Sequence, residues 1–221
     1  MGTMIELTAS DGHKFQAYAA GDEKSGRALV IVQEIFGVNQ HMREVADHLA
    51  GFGYYVLSPA VFDRAERNVE LDYTPDGIKK GLELRAAIEE DAVMRDIEAT
   101  AAKLSPRPTG IIGYCWGGTI AWWGATRSKS FKAAVAWYGG GIVQTKEAAT
   151  TCPVQLHFGA IDKGIPLSDV ESIQKAKPEM PIFIYEGADH GFGCDVRPSF
   201  NAEANKLAED RSLAFFAEHL T

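Results

Sequence analysis

Short uninterrupted apolar runs alternate along this chain with segments whose apolar residues recur every three or four positions. No other feature restricts the fold as much. Ala28 to Gln33 (ALVIVQ) reads as a strand buried on both faces and Tyr54 to Leu57 as a second buried run, and Thr109 to Tyr114, Ala133 to Trp137 (AAVAW), Val154 to Phe158 (VQLHF) and Ile182 to Tyr185 (IFIY) read as further strands. Met42, Val45, Ala46 and Leu49 form one helical face that ends at Gly51. A long helix is expected around Leu82 to Leu104, with Val93, Ile97, Ala101 and Leu104 on one stripe. Further helices are expected from about Trp116 to Thr126, between the last two strands, and near Ala202 to Leu220. Met4 to Thr8 and Lys14 to Ala19 read as two leading strands around the turn Ser10-Asp11-Gly12. Strands feeding helices in this order need crossover connections, so the expected class is α/β, a mostly parallel central sheet with helices on both faces. In such sheets ligands lie at the carboxyl ends of the strands.

No repeat, low-complexity tract or Pro/Ser-rich linker marks a boundary, so residues 1 to 221 are expected to form a single domain. The stretch between Arg107 and Arg127 carries no charge and could nearly span a bilayer. Pro108 and the glycines 110, 113, 117, 118 and 124 suit it better to a strand, turn and helix in the core. Twenty-two basic against 30 acidic side chains give a net charge of −8, the wrong sign for a protein that binds by neutralising phosphates. Nucleic acid and membrane partners are therefore not expected. The amino terminus lacks the basic flank and apolar run of a signal peptide. Three cysteines without a CxxC pair give no disulfide framework or zinc ribbon. A cytoplasmic monomer without metal or organic cofactor is expected.

The chemistry is expected at Gly113-Tyr114-Cys115-Trp116-Gly117-Gly118, which follows a strand and opens a helix. It has the G-x-nucleophile-x-G form of a nucleophile elbow, with Cys in the place of Ser. A bend this sharp brings backbones so close that the residues two places either side of the nucleophile must be minimal. It presents Cys115 at a helix start, where free N–H groups and the dipole favour thiolate. Cys152 and Cys194 have no such context and read as structural.

A thiol nucleophile needs a base, and the base an orienting carboxylate, which follow in this fold in the order nucleophile, acid, histidine. Asp162, in Gly159-Ala160-Ile161-Asp162-Lys163, and His190, in Asp189-His190-Gly191-Phe192, each fall just past a late strand. Asp189 is the alternative acid, although a residue adjacent to the histidine is poorly placed to hold that ring's own Nδ1. The other histidines, 13, 41, 48, 157 and 219, are expected to be structural.

These residues resemble the dienelactone hydrolase (carboxymethylenebutenolidase) family of α/β-hydrolases over about Ala28 to Phe216. Gln33-Glu34-Ile35-Phe36-Gly37-Val38-Asn39 is similar to the family's segment after the third strand, and the cysteine elbow and the Asp162 and His190 contexts match its own. The resemblance implies that Glu34 controls the resting Cys115 thiol and that the Ile35 and Trp116 N–H groups form the oxyanion hole. It also implies two arginines that hold a substrate carboxylate. Arg64, with Arg67 close behind, fits the first position; Cys194 occupies the second, which Arg197 reaches only if its loop bends back. Phe36, Trp116 and Phe192 are expected near the substrate. The expected activity is opening of a lactone or cleavage of a small ester through a covalent thioester. The alternatives are an esterase or thioesterase for another small substrate, and a thiol redox protein in which Cys194 resolves an oxidised Cys115.

Overall fold

A computed structural model describes residues 1–221. The strands are β1 (Thr3–Thr8), β2 (Lys14–Ala20), β3 (Arg27–Val32), β4 (Tyr54–Pro59), β5 (Thr109–Tyr114), β6 (Ala133–Trp137), β7 (Val154–Gly159) and β8 (Ile182–Tyr185). The helices are α1 (Gln40–Ala50), α2 (Pro75–Ala86), α3 (Glu90–Leu104), α4 (Trp116–Arg127), α5 (Leu167–Ala176) and α6 (Ala202–His219). The strands form one sheet in the order β1-β2-β4-β3-β5-β6-β7-β8. β1, β2 and β4 pair antiparallel, and every pair from β4 through β3 to β8 is parallel. This is the α/β-hydrolase fold, with the two leading strands making the antiparallel edge.

Burial explains why these segments are strands. All residues of β4, β6 and β7 are buried, as β-branched and aromatic runs must be when helices cover both faces. The direction of chain progression reverses between β3 and β5, and the crevice outside their carboxyl ends is where such a sheet admits a ligand.

The uncharged stretch is core. β5 runs into α4, of which ten of the twelve residues are buried, because a helix apolar on every side must be surrounded by protein. Its Trp122 is fully buried and donates its indole N–H to Thr145 Oγ1 at 3.0 Å. Burying a side chain of that size contributes about 2 to 3 kcal/mol. No helix is long and apolar enough to cross a membrane.

One expected element differs. The helix expected around Leu82 to Leu104 is two helices, with Ala87 capping α2 and the extended Glu89 starting α3. The buried positions of α2 (Gly77, Gly81, Leu84) and of α3 (Val93, Ile97, Ala101, Leu104) each keep a helical spacing. They are not in phase with one another, so one straight helix of about 3.6 residues per turn could not bury both.

Under the site, His157 on β7 is fully buried in a polar cluster. Its Nδ1 lies 2.8 Å from the Tyr185 hydroxyl, and Nε2 lies 2.9 Å from Gln155 Oε1 and 3.2 Å from Ser212 Oγ. Burial holds this imidazole down at about 3, so the folded chain refuses a proton that the unfolded chain accepts below its ordinary value of 6.5. Stability should therefore fall with pH between about 6.5 and 3, with a slope from this group approaching about 1.4 kcal/mol per pH unit. Urea unfolding across that range should show the slope in the wild type and a shallower one in His157→Gln. Equal slopes would mean that His157 is protonated in the folded protein.

Candidate active site

Three loops at the carboxyl ends of β5, β7 and β8 converge on one point. Cys115 adopts φ 56 and ψ −115, a conformation that costs a non-glycine residue of order 1 to 3 kcal/mol and persists only where neighbours impose it. They do: the Cys115 N–H donates to the Trp137 carbonyl at 3.0 Å, and the Cys115 carbonyl accepts from the Gly118 N–H at 3.0 Å. A Cβ at Gly113 would overlap the Gly117 carbonyl, and one at Gly117 would overlap the carbonyls of Val32 and Gln33. The sulfur is thereby lifted out of the sheet, and Cys115 is only partly buried.

His190 Nε2 lies 3.1 Å from Cys115 Sγ, and Nδ1 lies 2.8 Å from Asp162 Oδ2. The other oxygen of Asp162 accepts the N–H groups of Gly164 at 2.8 Å and Ile165 at 3.1 Å, so the carboxylate is fixed from both sides. Asp189 accepts the backbone N–H of His190 at 2.7 Å and holds the loop rather than the ring. The Tyr138 ring, on a residue with φ 40, meets the imidazole edge to face at 5.2 Å between centroids. Burial disfavours a charged imidazole here, but the Cys115 sulfur and the Asp162 carboxylate outweigh it and raise His190 to about 10. The two partners together favour the protonated ring.

Two residues lining the cleft beside Cys115 have backbone N–H groups without a backbone partner. Trp116 is the first residue of α4, where an N–H has no partner within the helix, and the Ile35 N–H makes no backbone hydrogen bond. Glu34 is 1% exposed, with Oε1 3.3 Å from Arg197 Nη1 and Oε2 unpartnered. Arg197 does bend back to this region, through successive turns in which Cys194 bonds to Gly191 and Arg197 to Cys194. Cys194 is fully buried, and burial pushes its thiol up to about 12.

The sequence is 37% identical over 212 residues to a protein from Synechocystis sp. named "Putative carboxymethylenebutenolidase", covering 87% of this chain and 86% of the relative. A protein of the same name from Azospirillum brasilense is 32% identical, covering 99% of each chain. The profile of the Dienelactone hydrolase family matches residues 15–220. The chain belongs to the dienelactone hydrolase family. It is thus a hydrolase of that family, and a small molecule is the substrate class that fits it. Among solved structures, a "Putative Dienelactone Hydrolase" from Klebsiella pneumoniae superposes with a TM-score of 0.85 at 30% identity, covering 98% of this chain and 99% of that one. A Pyrococcus furiosus esterase, at 16% identity and a TM-score of 0.72, shares the fold.

Several expected substrate contacts lie elsewhere. Arg64 is not at the cleft: its guanidinium binds Asp96 at 2.6 and 2.9 Å and Asp11 at 2.6 and 3.3 Å, which engages all three of its nitrogens. Arg67 donates to the Lys14 carbonyl. Phe36 and Phe192 are buried, Phe36 against Tyr73 and Phe192 stacked on Trp137, and neither lines the cleft. Aromatic rings beside a catalytic motif are drawn into the apolar core as readily as toward a ligand. Trp116 does line it, in a cleft of about 610 Å³ shared with Ile35, Cys115 and His190. Trp123 on α4 and Arg85 on α2 also line this cleft; both sit within ordinary helical patterns and carried no sequence signal.

Proposed function

We propose that the chain opens a lactone or cleaves a small carboxylic ester through Cys115, His190 and Asp162, with a thioester intermediate. The observation that carries this reading is the continuous line Asp162–His190–Cys115, with the sulfur on a strained elbow at the cleft floor. A doubly protonated ring 3.1 Å from sulfur favours the thiolate, the reactive form of cysteine. The thiolate attacks the carbonyl, and the oxyanion forms against the N–H groups of Ile35 and Trp116, each worth about 3 kcal/mol. Collapse breaks the carbon–oxygen bond, and His190 Nε2 gives its proton to the leaving oxygen. In a lactone that oxygen stays tethered to the acyl group. Water then surrenders a proton to His190, attacks the thioester and releases the acid. Asp162 keeps the ring oriented and supports its charge. Glu34, held by Arg197, tunes the resting sulfur. The reaction as drawn needs no metal or organic cofactor, and residues 1–221 act as a single domain.

The test is intact-mass analysis during a screen of lactones and activated esters. A transient acyl adduct on Cys115 is expected, and iodoacetamide should label Cys115 and end turnover before reaching Cys152 or Cys194, whose thiols burial raises to about 11 and 12. Turnover that survives stoichiometric labelling of Cys115 would rule the mechanism out. Peroxide-dependent pairing of Cys115 with Cys194 and no adduct would favour the redox alternative.

A further inference from the structure

The four tryptophans of this chain fall into two kinds. Trp122 and Trp137 are enclosed in the core, and each indole N–H has an acceptor there, Thr145 Oγ1 at 3.0 Å and Ser212 Oγ at 3.2 Å. Trp116 and Trp123 are almost as deeply buried, at 3% and 6% exposure, yet neither indole N–H meets an acceptor in the protein. A tryptophan buried to this depth ordinarily finds a partner for its N–H. Unlike Glu34 Oε2, neither N–H is sealed away from solvent, so each opens into the space that its side chain lines. That space is the cleft that holds Cys115 and His190.

The two donors meet different parts of a ligand. Trp116 follows the nucleophile directly, whereas Trp123 comes seven residues later on the same face of α4, about 10 Å further along its axis. The Trp123 ring is braced. The Arg127 guanidinium lies 4.8 Å from its centre and is held in turn by Glu90 at 2.7 Å, so the donor is fixed before a ligand arrives and costs little entropy to use. Ile78, Leu82 and Ile165 line the same cleft and keep its surroundings apolar. An uncharged N–H in such a place satisfies a carbonyl or ether oxygen but does not offset the desolvation of a charged group.

We infer that Trp123 is a specificity-determining residue whose indole N–H donates to a neutral oxygen on the non-reacting part of the substrate. The favoured substrates are esters or lactones that carry a second, uncharged carbonyl or ether oxygen. This rests on the hydrolase reading given above. Because the donor is fixed on α4, the place of that oxygen along the substrate matters as much as its presence. A hydrocarbon of the same shape would cover the N–H and leave it without an acceptor.

The test compares 4-nitrophenyl alkanoates with 4-nitrophenyl oxoalkanoates of equal length, the ketone being moved one carbon at a time along the acyl chain. A parallel series carries the ketone on the alcohol arm and is followed by acid release. The wild type should show a KM about fivefold lower for the ketone at one position on one arm, the scale of a net hydrogen bond between neutral groups. Replacing Trp123 by benzothienylalanine keeps the fused ring and removes the N–H, and it should bring the ketone and hydrocarbon series together. Trp123→Phe should do the same while raising KM in both series through lost contact area. The readout is the ratio between the series, because a shift of α4 or a smaller ring weakens both alike. Equal KM values at every ketone position on both arms, or a preference that keeps its full size in the benzothienylalanine enzyme, would overturn the role of Trp123 alone. Failure of the wild type to turn over any of these esters or a lactone panel would overturn the hydrolase reading and the role of Trp123 with it.

Discussion

Cys115→Ala is expected to lower kcat/KM for any ester or lactone the wild type hydrolyses by a factor on the order of 10⁵, about 7 kcal/mol of transition-state stabilisation. His190→Ala should lose nearly as much, and the double variant little more, because nucleophile and base act as one unit. Thermal stability should be unchanged or slightly raised in Cys115→Ala, since that side chain is partly exposed and sits on a strained backbone. Cys115→Ser is the more discriminating variant. The imidazole is held near 10 by the sulfur and the carboxylate on its two sides, an arrangement suited to a thiolate–imidazolium pair. A hydroxyl does not ionise beside it, so the serine enzyme must use a neutral ring as general base and should fall by roughly a thousandfold. Steady-state kinetics after thiol-specific blocking of any residual wild-type enzyme would measure both. A serine variant at near wild-type rate would show that the pair is not needed, and an active alanine variant would remove Cys115 from the chemistry.

The strand positions were legible because each parallel strand is a contiguous apolar run: the buried β5 and β6 and the half-buried edge strand β8 occupy the same residues that the runs delimit. Chain order likewise pointed to the groups that lie within hydrogen-bonding distance, since in this topology each follows a particular strand and the carboxyl ends of these parallel strands share one edge of the sheet. What spacing does not carry is the path of a loop. Arg197 reaches Glu34 because two consecutive tight turns shorten the segment after His190, and those turns have no single signature in the sequence. Arg64 was misplaced for a related reason. Its partners come from a turn after β1 and from the middle of α3, and a pairing that depends on three distant segments leaves no local trace. The break between α2 and α3 was visible in principle, because the two apolar stripes are out of phase, but each stripe taken alone reads as good helix.

Gly113→Ala should disable the protein without touching any group that meets substrate. The added Cβ would overlap the carbonyl oxygen of Gly117 and crowd the N–H of Gly118, backbone atoms of the first turn of α4 that cannot rotate away as a side chain would. The turn must move, and with it the Trp116 N–H and the sulfur of Cys115. A displacement of about 1 Å is enough to cost a hundredfold in rate, and the strain should lower stability by about 3 kcal/mol. Gly117→Ala pushes from the other side, against the carbonyls of Val32 and Gln33, where the chain leaves β3 for Glu34 and Ile35. It should therefore disturb both backbone donors and lose more activity than Gly113→Ala for a similar loss of stability. Gly26→Ala is the control: no heavy atom lies within 4 Å of its added Cβ, and its backbone is not left-handed, so it should stay within about 0.5 kcal/mol of wild type. Urea unfolding and kcat/KM on the same three variants separate the two effects. If Gly113→Ala folded as stably as Gly26→Ala and kept its rate, the bend could not be as tight as drawn, and the strained Cys115 backbone would lose the contacts that hold it in place.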